Sequence, residues 1–563
     1  MKRPNLDPWI MGWRGPVLAA LIAMLAGLPS LMLLHPLDRD ESRFAQATTQ
    51  MIETGDYVDI RFQDEARHKK PVGIYWMQAA SVQLLSSPEA RDIWAFRIPS
   101  LLGAMLAAFA CAWGGAALFG ARAGFLAGAM LGTTFLLSTE AGIAKTDAML
   151  AGTVTLALAA LARLYVARAR GEAVAGHLKF VFWIALAVSI LVKGPIGALV
   201  VALTVLALCL WDRQWRWLGE LKPGWGLVIL AVILAPWAVA VSVATDGAFW
   251  REAIMGDLAP KIVGGHEGHW GPPGQYLLLA PLLLFPMTLM VPAAVMAGIT
   301  RRAEPAIRFA LCWLVPSWLM FELAPTKLWH YTLPTFGAIA WLAAAALTQP
   351  IGKWSMRTGV GLSALAALLV TAITLYGLSE FGTSTAQTWA SFTIGLALVG
   401  AAASGYLLLN RMAVTAVVTA LVFGVLSHAA LSGVIRQLKP LWVSPRLEQA
   451  LETTRLHPRA GFLPGPVAIA GYHEPSFVFL TGTRTELTDG AGAARAIRLG
   501  RPAIVEAREE DAFRAALAGL DAVAVGDSVE GRNYSNGDEV SLRLYRPASA
   551  SLPEPATGRE DAR

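Results

Sequence analysis

Blocks of mostly apolar residues, each about 18–25 long and so able to cross hydrocarbon as a helix, recur along most of this chain. No other feature restricts its fold as strongly. Lipid offers no water to a bare N–H or C=O, so such blocks must bond internally as helices. Only 15% of the 563 residues are charged, against about a quarter in soluble domains. Window length gives about 13 candidate spans. Their cores are 15–34, 97–119, 122–138, 147–167, 178–192, 194–211, 225–244, 276–299, 306–323, 330–348, 358–377, 389–409 and 413–435. The first has a basic flank (Lys2, Arg3, Arg14) and reads as a retained signal anchor.

The basic residues set the orientation. With the N-terminus inside, every short inner loop carries Lys or Arg: Arg122, then Arg163 to Lys179, Arg213 to Lys222, Arg301 to Arg308, Lys353 with Arg357, and Arg411. That is the positive-inside pattern. Acidic and mixed-charge segments (35–96, 139–147, 245–275, 324–330, 378–388) then fall outside, as does the C-terminus. The net charge of +6 is spread over short loops and says nothing about nucleic acid. Cys111, Cys209 and Cys312 lie inside apolar spans and suggest no disulfide or metal framework.

After about residue 440 the pattern changes. GPVAIAGY, SFVFLTGT, RPAIVEA, DAVAVGD and EVSLRLYRP read as short strands, and EEDAFRAALAGL as a helix. The expected fold is a polytopic α-helical membrane protein with about 13 transmembrane helices, outer-face juxtamembrane helices and a small C-terminal α/β domain outside. The expected organisation is a transmembrane domain at 1–438 containing an outer loop at 35–96, an α/β domain at 439–545 and a disordered tail at 546–563.

Charges on the outer side have no topological reason to be there. Asp40-Glu41-Ser42-Arg43 follows the first span, Lys145-Thr146-Asp147 opens the fourth, and Lys193-Gly194-Pro195 separates two spans. Lys69-Lys70-Pro71 precedes Tyr75-Trp76, and Thr326-Lys327-Leu328-Trp329-His330-Tyr331 leads into another span. Each has a bland reading: aspartates as helix caps, lysines that snorkel, aromatics as interface anchors. Together they suit a cavity for a phosphate headgroup with a carboxylate base beside it. His266 and His269, three apart in a loop, are a weak metal signal, and no glycine-rich nucleotide loop stands out.

These stretches, in this order, resemble the C-type, polyprenyl-phosphate-sugar-dependent glycosyltransferases of bacteria. The likeness is to the lipid A aminoarabinose transferases and the protein O-mannosyltransferase superfamily. It is carried by Asp40-Glu41-Ser42-Arg43-Phe44-Ala45, Gly55-Asp56-Tyr57, Lys70-Pro71 with Tyr75-Trp76, Thr146-Asp147, Leu191-Val192-Lys193-Gly194-Pro195, and Lys327-Leu328 with Tyr331 and Leu333-Pro334. More loosely, Gly471 to Ser476 and Asn533 to Gly537 match motifs of some relatives.

The resemblance implies an inverting glycosyltransferase of the inner membrane with a periplasmic active site and C-terminal domain. Its donor would be a sugar on undecaprenyl phosphate, and its acceptor lipid A, lipopolysaccharide core or another envelope molecule. It implies Asp40 as catalytic base and Asp147 beside the acceptor or orienting a lysine. Arg43, Lys70, Lys193, Lys327 and Tyr331 would hold the donor phosphate, and Glu41, Tyr75 and His330 would line the substrate. Where the aminoarabinose transferases have an acidic residue that helps bind a metal, this chain has Lys69. A divalent metal is therefore left open, and the extra positive charge would suit an acidic sugar. Two alternatives remain: a protein O-glycosyltransferase of the same superfamily, and a lipid flippase, against which stand charges gathered at one face and no internal repeat.

Overall fold

A computed structural model describes residues 7–37, 39–173, 175–263, 270–460 and 465–548. Among the described residues, nine helices are long and apolar enough to span a membrane, or up to 11 if two bent pairs each count as one span. The chain is a polytopic membrane protein. All the expected cores are helical, but several are not simple rods. Ala121–Gly132 and Phe135–Ala141 meet at 63°, and Gln275–Leu283 and Met287–Thr300 at 112°. His177–Lys193 has 17 residues, and the 330–348 core is a 3-10 turn, Trp329–Thr335, followed by the 11-residue helix Phe336–Ala346.

The two breaks serve each other. The Phe135 N–H, freed where the first pair bends, donates to the Phe285 carbonyl of the second at 2.6 Å. Irregular backbone at membrane depth needs such an internal partner. The Asp147–Ala169 helix is the hub, with 89% of its span window buried inside the protein, whereas Pro223–Ala244 has 11% and faces outward.

The 35–96 loop holds two helices, Asp40–Thr54 and Gly73–Leu85, joined through the small antiparallel pair β1 (Arg61–Phe62) and β2 (Glu65–Ala66). Gly73 lets this loop press on the span that ends at Lys193: a Cβ there would lie 2.7 Å from the Leu191 carbonyl oxygen. Lys193 is followed by Gly194 at φ +67°, the left-handed turn before the next span that a side chain would resist.

The C-terminal part is a five-stranded mixed sheet in the order β4-β3-β5-β7-β6. Its strands are β3 (Ala468–Ala470), β4 (Glu486–Thr488), β5 (Ala503–Glu506), β6 (Ala522–Arg532) and β7 (Glu539–Pro547). β3 runs parallel to β4 and β5, and β7 is antiparallel to β5 and β6. One expected strand is wrong: the SFVFLTGT segment is helical over Pro475–Thr481. Pro475 suits a first helical turn, and Phe477, Phe479 and Leu480 are buried against neighbours on more than one side. Packing overrides β-propensity there. The strand β4 and the helix Gly490–Arg498 had no clear sequence signal.

Candidate active site

The candidate site lies where the 35–96 loop meets the ends of the central spans. Asp40 is the first residue of the Asp40–Thr54 helix and its side chain is 66% exposed. Among the described residues, the cation nearest to it is Arg67, 3.9 Å from Asp40 Oδ1. Arg67 is itself buried and lies over the Phe44 ring at 5.0 Å. Arg43, one turn beyond Asp40, is half-buried and makes no side-chain hydrogen bond or ion pair among the described residues. A guanidinium so placed keeps its full fork for a ligand.

Lys70 donates to Asp257 Oδ2 at 2.6 Å, and Lys261 donates to Oδ1 of the same carboxylate at 2.6 Å. Burial pushes the Lys70 ammonium down from 10.5 to about 8, helped by the like charge of Lys261 and, farther off, Lys193, and opposed by Asp257. Burial would raise Asp257, but Lys70 and Lys261 hold it below its usual range.

Lys193 pairs closely with Asp147 and sits 5.5 Å above the Tyr331 ring. Behind them lies a charge-balanced cluster. Lys145 contacts Glu140 at 3.0 Å and His330 Nδ1 at 3.2 Å, and His330 Nε2 is 3.5 Å from Asp147. Burial would lower the Lys145 ammonium, but Glu140 and Asp147, with a contribution from Asp40, raise it. Asp147, Lys145, Lys193, Glu140, His330 and Tyr331 thus form one contact cluster, the charge of Asp40 acts on Lys145, and Arg43 lies one turn along the helix from Asp40.

Three expected site residues have other work. Glu41 is 2% exposed. Its carboxylate takes a two-pronged pair from buried Arg97 at 2.8 Å and 2.8 Å, and accepts from the Leu37 and Ala144 amides. It ties the Asp40 helix to the bundle instead of lining a substrate cavity. Tyr75 is 0% exposed, stacked 5.1 Å from Phe44 beneath Arg67, and burial pushes its phenol above the usual range. Lys327 donates to the carbonyls of Phe321, Glu322 and Ala324 at 3.2, 2.6 and 2.8 Å. Those are orphan acceptors at the C-terminal end of the Pro305–Leu323 helix. With its three protons donated to these carbonyls, Lys327 caps a helix end and has none left over for a phosphate in this arrangement.

Oxygen and nitrogen donors of Glu140, Asp147 and His330 lie within 4.8 Å of one another. One Glu140 oxygen is left without a hydrogen-bond partner, but the Lys145 and Lys193 ammoniums already neutralise the two carboxylates, so the cluster does not fit a divalent cation. A metal would put two more positive charges beside them. His266 and His269 lie outside the described residues. Sequence reasoning missed Arg67, Asp257 and Glu140. Only Asp257 left a signal, its i,i+4 spacing from Lys261.

The Dolichyl-phosphate-mannose-protein mannosyltransferase family model matches residues 38–249, the stretch that holds Asp40, Lys70, Asp147 and Lys193. The chain is 28% identical to undecaprenyl phosphate-alpha-4-amino-4-deoxy-L-arabinose arabinosyl transferase 2 of Pseudomonas fluorescens over 369 residues, 65% of each chain. It is 29% identical to the corresponding transferase of Aeromonas salmonicida, over 62% of this chain and 67% of that one. Its fold matches the crystal structure of ArnT from Cupriavidus metallidurans bound to undecaprenyl phosphate with a TM-score of 0.75, at 20% identity, covering 96% of this chain and 99% of that one. In sequence over about two-thirds of its length and in fold over nearly all of it, the chain is similar to the C-type, polyprenyl-phosphate-sugar-dependent membrane glycosyltransferases, with the aminoarabinose transferases among its relatives.

Proposed function

We propose that this protein is an inverting glycosyltransferase that moves a sugar from a polyprenyl phosphate to lipid A or another envelope acceptor. The site would open on the periplasmic face of a bacterial inner membrane, with the N-terminus cytoplasmic, as the distribution of Lys and Arg supports. The observation that most supports the reading is an exposed carboxylate, Asp40, at the start of the helix that bears Arg43, with its charge acting on Lys145 of the buried Lys145–Asp147–Lys193 cluster, and the charge of Lys193 in turn acting on Lys70. The names of the relatives support the donor class, a sugar carried on undecaprenyl phosphate.

In this reading Asp40 takes the proton from the acceptor oxygen as that oxygen attacks the anomeric carbon. The bond from that carbon to the donor's phosphate oxygen breaks, and the electron pair leaves with the polyprenyl phosphate. Arg43, Lys70 and Lys193 hold the charge that grows there, which favours the transition state over the ground state. Asp147 keeps Lys193 aimed, and the Lys145–Glu140–His330 cluster holds Asp147. Mass spectrometry of lipid A and of envelope proteins, from cells with and without the protein, tests the proposal. A sugar lost from lipid A supports it. A sugar lost from proteins alone moves the acceptor to a polypeptide, and no loss from either refutes the transferase reading.

A further inference from the structure

The polar residues Gln46, Gln50 and Glu53 lie on one stripe of the Asp40–Thr54 helix, at i, i+4 and i+7. None of them faces the proposed site chemistry. All three are engaged by a network that runs into the C-terminal domain. Arg91, 6% exposed, donates to Gln46 Oε1 at 2.6 Å, Glu53 Oε1 at 2.6 Å and the Phe479 carbonyl at 3.1 Å. The Thr483 hydroxyl accepts from Gln46 at 2.8 Å and donates to Glu53 Oε2 at 2.7 Å. Gln63, which exchanges hydrogen bonds with Gln50, donates to the carbonyls of Thr483 and Thr485. Under this network, Phe479 meets Phe96 edge-on at 5.3 Å, in a dry cluster with Ala45, Val82, Ala95 and Ala144.

We infer that the C-terminal domain is a positioning clamp on the catalytic helix, with Arg91 and Thr483 as its positioning residues. The inference rests on the role proposed for Asp40. The helix is fixed at its first turn by Glu41–Arg97, at its middle by Thr48 on Gln78, and along its outer stripe by the sheet domain. The last of these holds comes from residues more than 380 positions away in the chain. Loosening their partners moves Asp40, and Arg43 on the same helix, while Lys70 and Lys193, which lie on other segments, keep their hold on the donor. A displacement near 1 Å can cost a rate about 10²-fold.

The test uses full-length protein and compares wild type with Thr483→Val, Thr483→Ser and Arg91→Ala. Amide hydrogen exchange over 41–54, transfer kinetics and binding of undecaprenyl phosphate are measured for each. For Thr483→Val and Arg91→Ala, exchange over 41–54 should rise at least about tenfold while Asp147–Ala169 stays protected. Their kcat should fall about tenfold or more, while donor KM and undecaprenyl phosphate binding change far less, because of the three phosphate-binding cations only Arg43 rides on this helix. Thr483→Ser, which keeps the hydroxyl, should match wild type. Unchanged exchange over 41–54, or faster exchange with unchanged kcat, overturns the clamp. A wild-type protein that transfers no sugar defeats the proposed reaction instead, and the exchange arm then decides alone whether the domain holds the helix.

Discussion

Lys70 gives the sharpest prediction. Its ammonium is 20% exposed and its pKa is drawn from 10.5 to about 8, first by burial and then by Lys261. At 1.36 kcal/mol per pH unit, holding it charged in the empty site costs about 3 kcal/mol relative to water. The sign follows from linkage. The folded protein binds fewer protons at Lys70 than the unfolded chain, so this cost is full below about pH 8 and is relieved as pH rises toward 10.5. A sugar phosphodiester keeps one negative charge throughout this range, so it binds the protonated lysine and raises its pKa. Donor KM should therefore be flat below about pH 8 and climb up to about tenfold per pH unit above it. Lys70→Arg, charged at every pH used, should lose the climb even if its overall rate is lower. The assay is transfer from a polyprenyl-phosphate sugar between pH 6.5 and 9.5, with rates extrapolated to saturating acceptor. A flat profile in wild type, or the same rise in Lys70→Arg, would refute a charged Lys70 on the donor phosphate.

Other substitutions separate structural from reacting groups. Glu41→Gln leaves buried Arg97 without its counter-charge and should cost about 3–5 kcal/mol, seen as lost expression or a lowered unfolding temperature; Glu41→Gln with Arg97→Met should recover part of it. Lys327→Met strands the helix-end carbonyls and should lower thermal stability, yet the protein that survives should keep its donor KM. Transfer should be insensitive to a chelator such as EDTA, since ammoniums already neutralise the carboxylates of the Glu140–Asp147–His330 cluster.

Much of the architecture was legible because hydrocarbon thickness leaves few choices. An apolar run of spanning length has to be a helix wherever it sits. What lay hidden depended on distant partners. Lys193 and Lys327 look alike in sequence, each an outer-side lysine beside an apolar span. One meets Asp147, 46 residues away, across the site, and the other turns back on carbonyls three to six residues before it. Asp40 and Glu41 are neighbours with opposite fates, because a helix start points one carboxylate outward and sends the next into Arg97. Pro475–Thr481 reads as a strand by composition and is a helix because both the sheet and the outer loop pack on it. The clamp at Arg91 had no sequence signal at all, since its partners come from two distant parts of the chain, the Asp40–Thr54 helix and Phe479.

The most direct test of the account is Asp40→Asn in purified protein, with sugar transfer and undecaprenyl phosphate binding measured side by side. Removing a positioned general base should lower transfer about 10²–10⁴-fold, and binding should stay within about twofold because Arg43, Lys70 and Lys193 are untouched. Near-normal transfer by Asp40→Asn, in protein that folds and binds the lipid phosphate, would contradict the central claim.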